Sequence, residues 1–293
     1  MLKADHIYRI NDVLSVIHND ISADLRAKTL AESAAYSEQH FHRLFKQVTG
    51  ESVHQYVRRT RLEAAANQLM FTNELSVQTV AVQCGFSSLS SFSRAFKSVY
   101  GVTPGGWRAG EKYDGTHYFL SDPAIKEAYQ HIQASDLPEP DIVQLEPRRV
   151  AYIRHTGYGR SISQSWQTIK TWAVAEERVI ETQIGLHHSN PAFVPLEQCR
   201  YVACIGIDRP VLRRGQINSL VIPGGLHAAF QLSGKYGELL PYISHILAEW
   251  LPQSGFVAKT TPAFAHYHKN QFLSEDDKFE LVFYLPIMSA GYI

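Results

Sequence analysis

The chain has 293 residues, 45% of them hydrophobic and 19% charged, so it can form two domains with buried cores. It has no apolar run of about twenty residues and no apolar secretion segment at its N-terminus, which argues against a transmembrane helix or a secreted protein. Three cysteines form an odd, sparse set without metal-ligand spacing, and we expect a cytoplasmic protein.

The first seventy residues predict four helices. Asp5–Asn19 has an apolar stripe, and Arg26–Ala34 begins without a Ser or Thr cap. Ser37 can cap a helix over Glu38–Val48, and Ser52–Phe71 forms a long amphipathic helix. Ala35 lies at the turn between the second and third helices, where a left-handed backbone would cost about 1 kcal/mol.

A second pair of helices follows. Ser76–Cys84 predicts a short helix, Gly85 a tight turn, and Ser87 or Ser88 a cap for the next helix. That helix has an apolar face at three- and four-residue spacing, formed by Phe92, Phe96 and Val99, and it ends at Gly101 with Pro104 just beyond. Two helices joined by a tight turn form a helix-turn-helix unit.

The same pattern occurs twice, at an offset of about fifty residues. LA…AYS…FK…G at positions 30–50 matches VA…GFS…FK…G at positions 80–101, and Tyr56 corresponds to Trp107. The chain here resembles the DNA-binding domain of the AraC/XylS family of transcription regulators, over about residues 5–110. The resemblance implies an all-α domain in which the long helix ties two helix-turn-helix lobes together.

Charge is distributed unevenly between the halves of the chain. Residues 1–110 carry 12 Lys and Arg against 9 Asp and Glu, a net +3, whereas residues 111–293 carry 16 against 19, a net −3. A +3 domain is only mildly basic, so the local arrangement of basic residues in and beside the two recognition helices is the stronger indication of DNA binding.

The candidate DNA contacts are of two kinds. Base-edge contacts are expected from the outer faces of the two recognition helices, at Gln39, His42 and Arg43 and at Ser90, Ser91 and Arg94. Phosphate contacts are expected from Lys46, Lys97, Arg58 and Arg59. The alternative is that these residues are simply the solvated faces of the helices.

Residues 111–139 predict a linker rich in Gly, Pro and acidic residues, with a short helix at Pro123–Ile132. The domain limits are therefore 1–110, 111–139 and 140–293.

The C-terminal half is also duplicated. Val150–Gly159 matches His227–Gly237, and Trp172 and Trp250 each lie thirteen residues after the final glycine. Two strand-like runs follow each copy, at Thr182–His188 and Arg200–Asp208 and at Pro262–Lys269 and Phe279–Ile287. The duplicated strand–helix–strand–strand units predict an α+β domain, an antiparallel sheet with helices on one face. PGGLHAAF, WLPQSG and YLPI resemble the GyrI-like effector-binding domain, which implies a groove for an aromatic or cationic small molecule between the repeats.

The candidate groove residues are Tyr152, Trp166, Trp172, His188, Tyr267 and Glu280. Aromatic faces attract cations, although the aromatic residues could equally form the core. Many members of the family carry a Glu in a P-x-F-E-x-Y phrase, where this chain has Ala265. Glu280 would then supply any negative charge from the neighbouring strand.

Metal binding and catalysis have little support. His187–His188 and His266-x-His268 lack a fourth ligand, so we expect no metal site and no cofactor. Glu280 with Tyr267 or His188 could form an acid–base pair that hydrolyses a ligand, but such an enzyme would leave the double helix-turn-helix unexplained.

The sequence therefore predicts a multidomain, non-enzymatic regulator that binds double-stranded DNA as a monomer and senses a small molecule. RNA polymerase is a further partner, and no membrane contact is expected. The alternatives are a C-terminal domain that only contacts another protein, or one that hydrolyses its ligand.

Overall fold

The computed structural model describes residues 4–72, 75–111, 118–133, 136–208, 211 and 216–289. The chain forms two compact units, Met1–Asp114 with Leu212–Asn218, and Gly115–Val211 with Ser219–Ile293. Within the described ranges, no helix is both long and apolar enough to cross a membrane.

The first unit is helical. Its helices are α1 (Ala4–Asn19), α2 (Ala27–Ser33), α3 (Glu38–Thr49), α4 (Val53–Phe71), α5 (Val77–Gln83), α6 (Leu89–Tyr100) and α7 (Pro104–Arg108). α2 with α3 and α5 with α6 are the two predicted helix-turn-helix lobes, and α4 lies between them in the chain.

The helix ends follow the predicted chemistry. The side chain of Ser37 accepts a hydrogen bond from His40 N, and the side chain of Ser88 accepts one from Ser91 N. α2 has no side-chain cap, and Arg26 stands at the capping position. Gly101 ends α6 with φ of 81°, the left-handed conformation that glycine adopts without strain.

Each lobe has an aromatic core in which α4 or α7 supplies the matching ring. Phe45 of α3 meets Tyr56 edge-on at 5.5 Å, and Phe96 of α6 meets Trp107 in the same way at 5.7 Å. One expectation was wrong: Val99 is 53% exposed, and Tyr100 is buried in its place. The helix ends at Tyr100, whose ring lies 4.7 Å from the Trp107 ring, tilted by 45°, and takes the inward position.

The second unit is an antiparallel sheet with helices. Its strands are β1 (Asp141–Leu145), β2 (Arg148–Thr156), β3 (Gln183–His187), β4 (Arg200–Gly206), β5 (Asn218–Ile222), β6 (Gly225–Lys235), β7 (Phe256–Ala258), β8 (Ala263–Lys269) and β9 (Lys278–Ser289). Its helices are α8 (Pro123–His131), α9 (Ile162–Ala175), α10 (Leu239–His245) and α11 (Leu251–Gln253), with a π-helical turn between the last two.

The strand order confirms the duplication. Eight strands follow the order β1-β6-β9-β8-β3-β4-β2-β5. The order is symmetric about the β3–β8 pair, so that β3, β4 and β2 of the first repeat correspond to β8, β9 and β6 of the second. β1 pairs with β6 of the other repeat. Two residues join β1 to β2 and β5 to β6, although these strands lie at opposite ends of the order, so the sheet must curl until its ends approach.

The two faces of the sheet differ. The face that carries α9 holds Tyr201, Tyr267 and Phe283, while the opposite face holds a separate core that includes Tyr152, Cys204 and Phe264. Side chains alternate between the faces along each strand, so the strand register decides which predicted groove residues can meet.

The turns of the two lobes give a matched test of backbone strain. Ala35 and Gly85 have φ of 54° and 77°, and a Cβ on Gly85 would lie 2.6 Å from Ile21 O and 2.7 Å from the Arg61 guanidinium carbon. We expect Gly85→Ala to lower the free energy of unfolding by about 2–4 kcal/mol. Ala35→Gly should stay within about 1 kcal/mol of wild type, since relief of strain offsets the greater freedom of glycine when unfolded. Denaturant unfolding of both variants checks this, and equal losses would contradict it.

Candidate functional site

The outer face of α3 is exposed to solvent. Gln39, His42, Arg43 and Lys46 all point away from the buried Phe41 and Phe45. Arg43 approaches His40 at 3.2 Å, and His42 approaches Glu38 at 3.7 Å, contacts within the same helix that leave both side chains at the surface.

The outer face of α6 is less strongly polar. Ser90, Arg94 and Lys97 are exposed, and Arg94 donates to Ser90 O at 3.3 Å. Ser91 is half-buried, and its hydroxyl donates to Ser88 O at the helix start. Leu89 is 43% exposed beside Ser90, an apolar residue that the sequence analysis did not select.

Arg58 and Arg59, which the sequence analysis predicted as phosphate contacts, both have partners within the helical unit. Arg58 donates to Ser98 Oγ at 2.7 Å, which joins α4 to α6. Arg59 forms ion pairs with Glu51 at 3.1 Å and Glu63 at 2.7 Å. Burial alone would lower the pKa of Arg59, but its acidic neighbours outweigh this and hold the pKa above its ordinary value. Both arginines therefore have partners inside the unit.

In the second unit, an aromatic groove lies between the two repeats on the face that carries α9. Its main lining residues are Tyr158, His187, Tyr201, Tyr236, Tyr267 and Phe272. Tyr158 and Tyr236 come from equivalent Gly-Tyr loops, and β3, β4 and β8 supply the floor. As described, the cavity holds only about 50 Å³, far less than the volume of typical ligand pockets.

The tyrosine hydroxyls of the groove have partners. Tyr158 donates to Ser189 O at 3.2 Å, and Tyr236 donates to Asp122 at 3.2 Å. Tyr201 lies 3.4 Å from the Tyr267 hydroxyl and accepts from Trp166 Nε1 at 3.2 Å. Burial raises the pKa of Tyr267 to about 12, so this phenol is neutral at pH 7.

Two other side chains of the groove carry polar atoms without such a partner, although the Gln271 side chain also hydrogen-bonds to Tyr267. Both ring nitrogens of His187 and the Oε1 of Gln271 are buried without a hydrogen bond to any described residue. Burial lowers the pKa of His187 to about 4, so its imidazole is neutral at pH 7. The sequence signal for this site was the pair of Gly-Tyr loops, which were identified as a repeat and not as ligand contacts.

The predicted ligand residues are divided by the sheet. Tyr267 lines the groove, and Trp166 lies directly behind it. Tyr152 is buried on the opposite face, and Trp172 packs 5.1 Å from Arg178. His188 follows the end of β3 and is not among the lining residues.

Glu280 does not reach the groove. It pairs with Ser233 in the register of β6 and β9, and its neighbour Leu281 pairs with Tyr267. Because successive residues alternate, Glu280 lies on the face opposite Tyr267. The predicted charge partner and the predicted acid–base pair of Glu280 with Tyr267 are therefore not assembled.

A larger cavity of about 520 Å³ lies on that opposite face, where the ends of the curled sheet approach. Phe264, Tyr284 and Ile184 form its floor, and Arg148 and Glu181 lie among the charged residues around it. The loops that join β1 to β2 and β5 to β6 also line this larger cavity, through Pro147 and Pro223, whereas the matching Gly-Tyr loops line the smaller groove. Among the described residues, no three His, Cys, Asp or Glu side chains are grouped to hold a metal.

α8 forms one wall of the aromatic groove. Ile125 lines it, and Asp122 both caps α8 and accepts from Tyr236. At the other end, His245 contacts Ile132 O at 3.1 Å. The helix predicted at Pro123–Ile132 is thus part of the second unit's wall.

Both halves of the chain match known protein families. Residues 30–110 match the model of a helix-turn-helix domain, and residues 138–288 match that of the GyrI-like small molecule binding domain. The probable transcription factor PqrA of Proteus vulgaris is 32% identical over 114 residues, which cover 38% of this chain and 93% of PqrA. The Transposon Tn10 TetD protein of Escherichia coli is 35% identical over 109 residues, 37% of this chain and 78% of TetD.

A solved structure, the DNA-binding domain of AdpA in complex with a target DNA, is 29% identical with a TM-score of 0.33. The aligned region covers 34% of this chain and 90% of the AdpA domain.

These matches define a class of protein that joins a DNA-binding helix-turn-helix domain to a ligand-binding domain. The chain belongs to the GyrI-like family and is an AraC-type DNA-binding transcription regulator with a GyrI-like small-molecule-binding domain.

The buried His187 predicts a pH dependence of stability. The unfolded imidazole has a pKa near 6.5 and the folded one about 4, so between these values the unfolded state binds more protons and stability falls as pH falls. His187→Phe should reduce the loss of unfolding free energy between pH 7 and pH 5 by about 2 kcal/mol. Denaturant unfolding at both pH values measures this, with the exposed His268→Phe as control. Equal pH dependence in wild type and His187→Phe would refute it.

Proposed function

We propose that the outer faces of α3 and α6 read DNA and that the aromatic groove binds the effector that regulates this reading. The observation that carries the proposal is the double arrangement: two helix-turn-helix lobes expose matching helix faces, and two sensor repeats supply matching Gly-Tyr loops to one groove. We further propose that the protein acts in the cytoplasm, without enzymatic activity, and contacts RNA polymerase.

The DNA contacts separate by chemistry. Gln39, His42 and Arg43 are proposed to contact base edges in one major-groove segment, and Ser90, Ser91 and Arg94 in the next. Exposed Leu89 can meet a thymine methyl group there. Lys46 and Lys97 are proposed to contact phosphates. Arg58 and Arg59 contribute instead by holding α4 against its neighbours.

Two recognition helices in one chain can reach successive major-groove segments about one helical turn apart. We therefore propose that a monomer binds an asymmetric site of roughly twenty base pairs. Residues 111–139 connect the proposed domains 1–110 and 140–293, and α8 lies within this connector.

Substitutions on the two faces should have different effects on DNA binding. Arg43→Ala should lose about 1–3 kcal/mol on the preferred site and relax the preference at one base pair. Lys97→Ala should weaken binding to all sequences alike and reduce the salt slope by about one unit. Salt-dependent binding to a library of asymmetric sites distinguishes them.

Lys170→Ala, which removes the same charge from an exposed position on α9, is the control for net charge. If Arg43→Ala and Lys97→Ala gave the same profile across the library, the division into base and phosphate contacts would be wrong.

The size of the groove suggests how an effector acts. A cavity of about 50 Å³ cannot hold a bicyclic molecule, so binding requires a wall to move. α8 is the candidate, because its chain leads directly from the helical unit and its Ile125 faces the groove. We propose that the effector displaces α8 and that this displacement is transmitted to the helical unit through the connector, residues 111–139.

This mechanism predicts opposite effects on stability and affinity. Asp122→Ala removes both the α8 cap and the acceptor for Tyr236. It should lower stability by about 1 kcal/mol and raise the affinity for a flat probe such as 2-naphthol about fivefold, since less energy is needed to open the wall. Calorimetry on the full chain, with the exposed Lys126→Ala as control, measures both quantities. Unchanged or weaker affinity in Asp122→Ala would exclude α8 as the moving wall.

Two alternatives have less support. A purely protein-binding second domain would not need polar groups buried in an aromatic cavity. Ligand hydrolysis would need an acid–base pair, and Glu280 and Tyr267 lie on opposite faces of the sheet. Turnover of a bound ligand by the full chain would favour the enzyme.

A further inference from the structure

The charge around the aromatic groove differs from that expected for a cation site. None of the described residues that line it carries a formal charge. At the rim, the Arg160 guanidinium lies 4.2 Å from the centre of the Tyr236 ring and is paired with Asp277 at 2.9 Å. A cationic ligand over the Tyr236 ring would therefore compete with the Arg160 guanidinium.

The floor of the groove has no room for an added acid. Ala265 is fully buried and pairs with Gly185 in the register of β3 and β8. The phenol of Tyr201 occupies the space where a Cβ on Gly185 would stand, and it contacts Tyr267 and Trp166 through its hydroxyl. A network of neutral hydroxyl groups thus lies beside the position of Ala265.

The unsatisfied polar atoms indicate what the groove can bind. The hydroxyls of Tyr158, Tyr201 and Tyr236 have partners, whereas the ring nitrogens of His187 and Oε1 of Gln271 are buried without one. Buried polar groups are nearly always hydrogen-bonded, and each exception calls for an explanation. Gln271 Oε1 can only accept, and a neutral imidazole offers one acceptor and one donor.

The rings around these atoms indicate the rest of the ligand. His187 meets Tyr158 and Tyr201 edge-on at centroid distances of 5.6 and 5.5 Å, and Phe272 lies 6.1 Å from Tyr201. Flat apolar molecules pack well among rings in such edge-on arrangements.

From these observations we propose that the groove selects an uncharged aromatic molecule carrying a hydrogen-bond donor, which is held by His187 and Gln271. This inference rests on the proposed function of the groove as the effector site. It assigns to this chain an uncharged ligand, whereas an acid at position 265 would favour a cation.

Three probes of similar size test the proposal on the full chain at pH 7. They are 2-naphthol, which is uncharged and donates one hydrogen bond, 2-methylnaphthalene, which cannot donate, and N-methylquinolinium, which is cationic. We expect 2-naphthol to bind at least tenfold more tightly than either of the others, because only it satisfies a buried acceptor without introducing a charge.

Two substitutions of similar size test the residues. His187→Phe and Gln271→Met should each reduce the preference for 2-naphthol over 2-methylnaphthalene to less than threefold. The affinity for 2-methylnaphthalene should change less than threefold, which also shows that the groove is intact. His268→Phe, on an exposed side chain of β8, should behave as wild type.

Each outcome decides a different point. If no probe binds to wild type, the groove is not a site for flat molecules, and the proposed function fails together with this inference. If the cation binds as well as 2-naphthol, the inference fails while the groove stays the effector site. If both variants keep the wild-type affinities and preference, the probe does not contact His187 or Gln271, and both the inference and the assignment of the groove as the effector site fail. The comparison of three probes on wild type remains decisive even if a variant fails to fold.

Discussion

The pairing of β3 with β8 is the contact on which the second unit depends. It joins the two repeats, and every other strand of the eight-stranded path extends outward from it. At its centre Gly185 pairs with Ala265, the two smallest residue types. Because Gly185 has no Cβ, the Tyr201 phenol can lie over it, with its hydroxyl 3.4 Å from that of Tyr267 and accepting from Trp166. The aromatic groove exists because the strands that join the repeats carry small residues at this point.

The helical unit depends on a different kind of constraint. Arg59 is held between Glu51 and Glu63, and Arg61 donates to the carbonyls of Ile21 and Ala23. These contacts fix α4 to the segments of the first lobe, and Arg58, which donates to Ser98 Oγ, joins α4 to α6 of the second lobe. A guanidinium group suits this task because its fork of donors can satisfy several acceptors at once.

Local signals in the sequence were sufficient for most of the fold. Serine caps, left-handed glycines and apolar spacing predicted the helices, and the two repeats predicted β2, β3, β4, β6, β8 and β9 but not β1, β5 or β7. Val99 was assigned wrongly because helical spacing continued to the last turn, where Tyr100 competes for the same inward position beside Trp107. A larger ring that can reach the core displaces a smaller residue to the surface.

The sites were harder to predict than the elements. Glu280 and Tyr267 were expected together because their strands are neighbours, but the register places them on opposite faces, and register depends on pairs far apart in the chain. Arg58 and Arg59 looked like surface charges because the sequence does not show which acids and hydroxyls lie near them. His187 was considered only as a metal ligand, since nothing in the sequence reveals that a polar atom will lack a partner.

The exchange of strands between the repeats has a consequence for how the protein forms during synthesis. β1 belongs to the first repeat, yet Asp141 pairs with Ala229 and Leu145 with Gly225, more than seventy residues later in the chain. While the ribosome is still adding the second repeat, β1 has no strand to pair with, and neither does the edge of β3 that later pairs with β8. Exposed strand edges of this kind promote association between incomplete chains. Helices α1 to α7 come early in the chain and can fold first, whereas the duplicated sheet closes only after the last strands emerge.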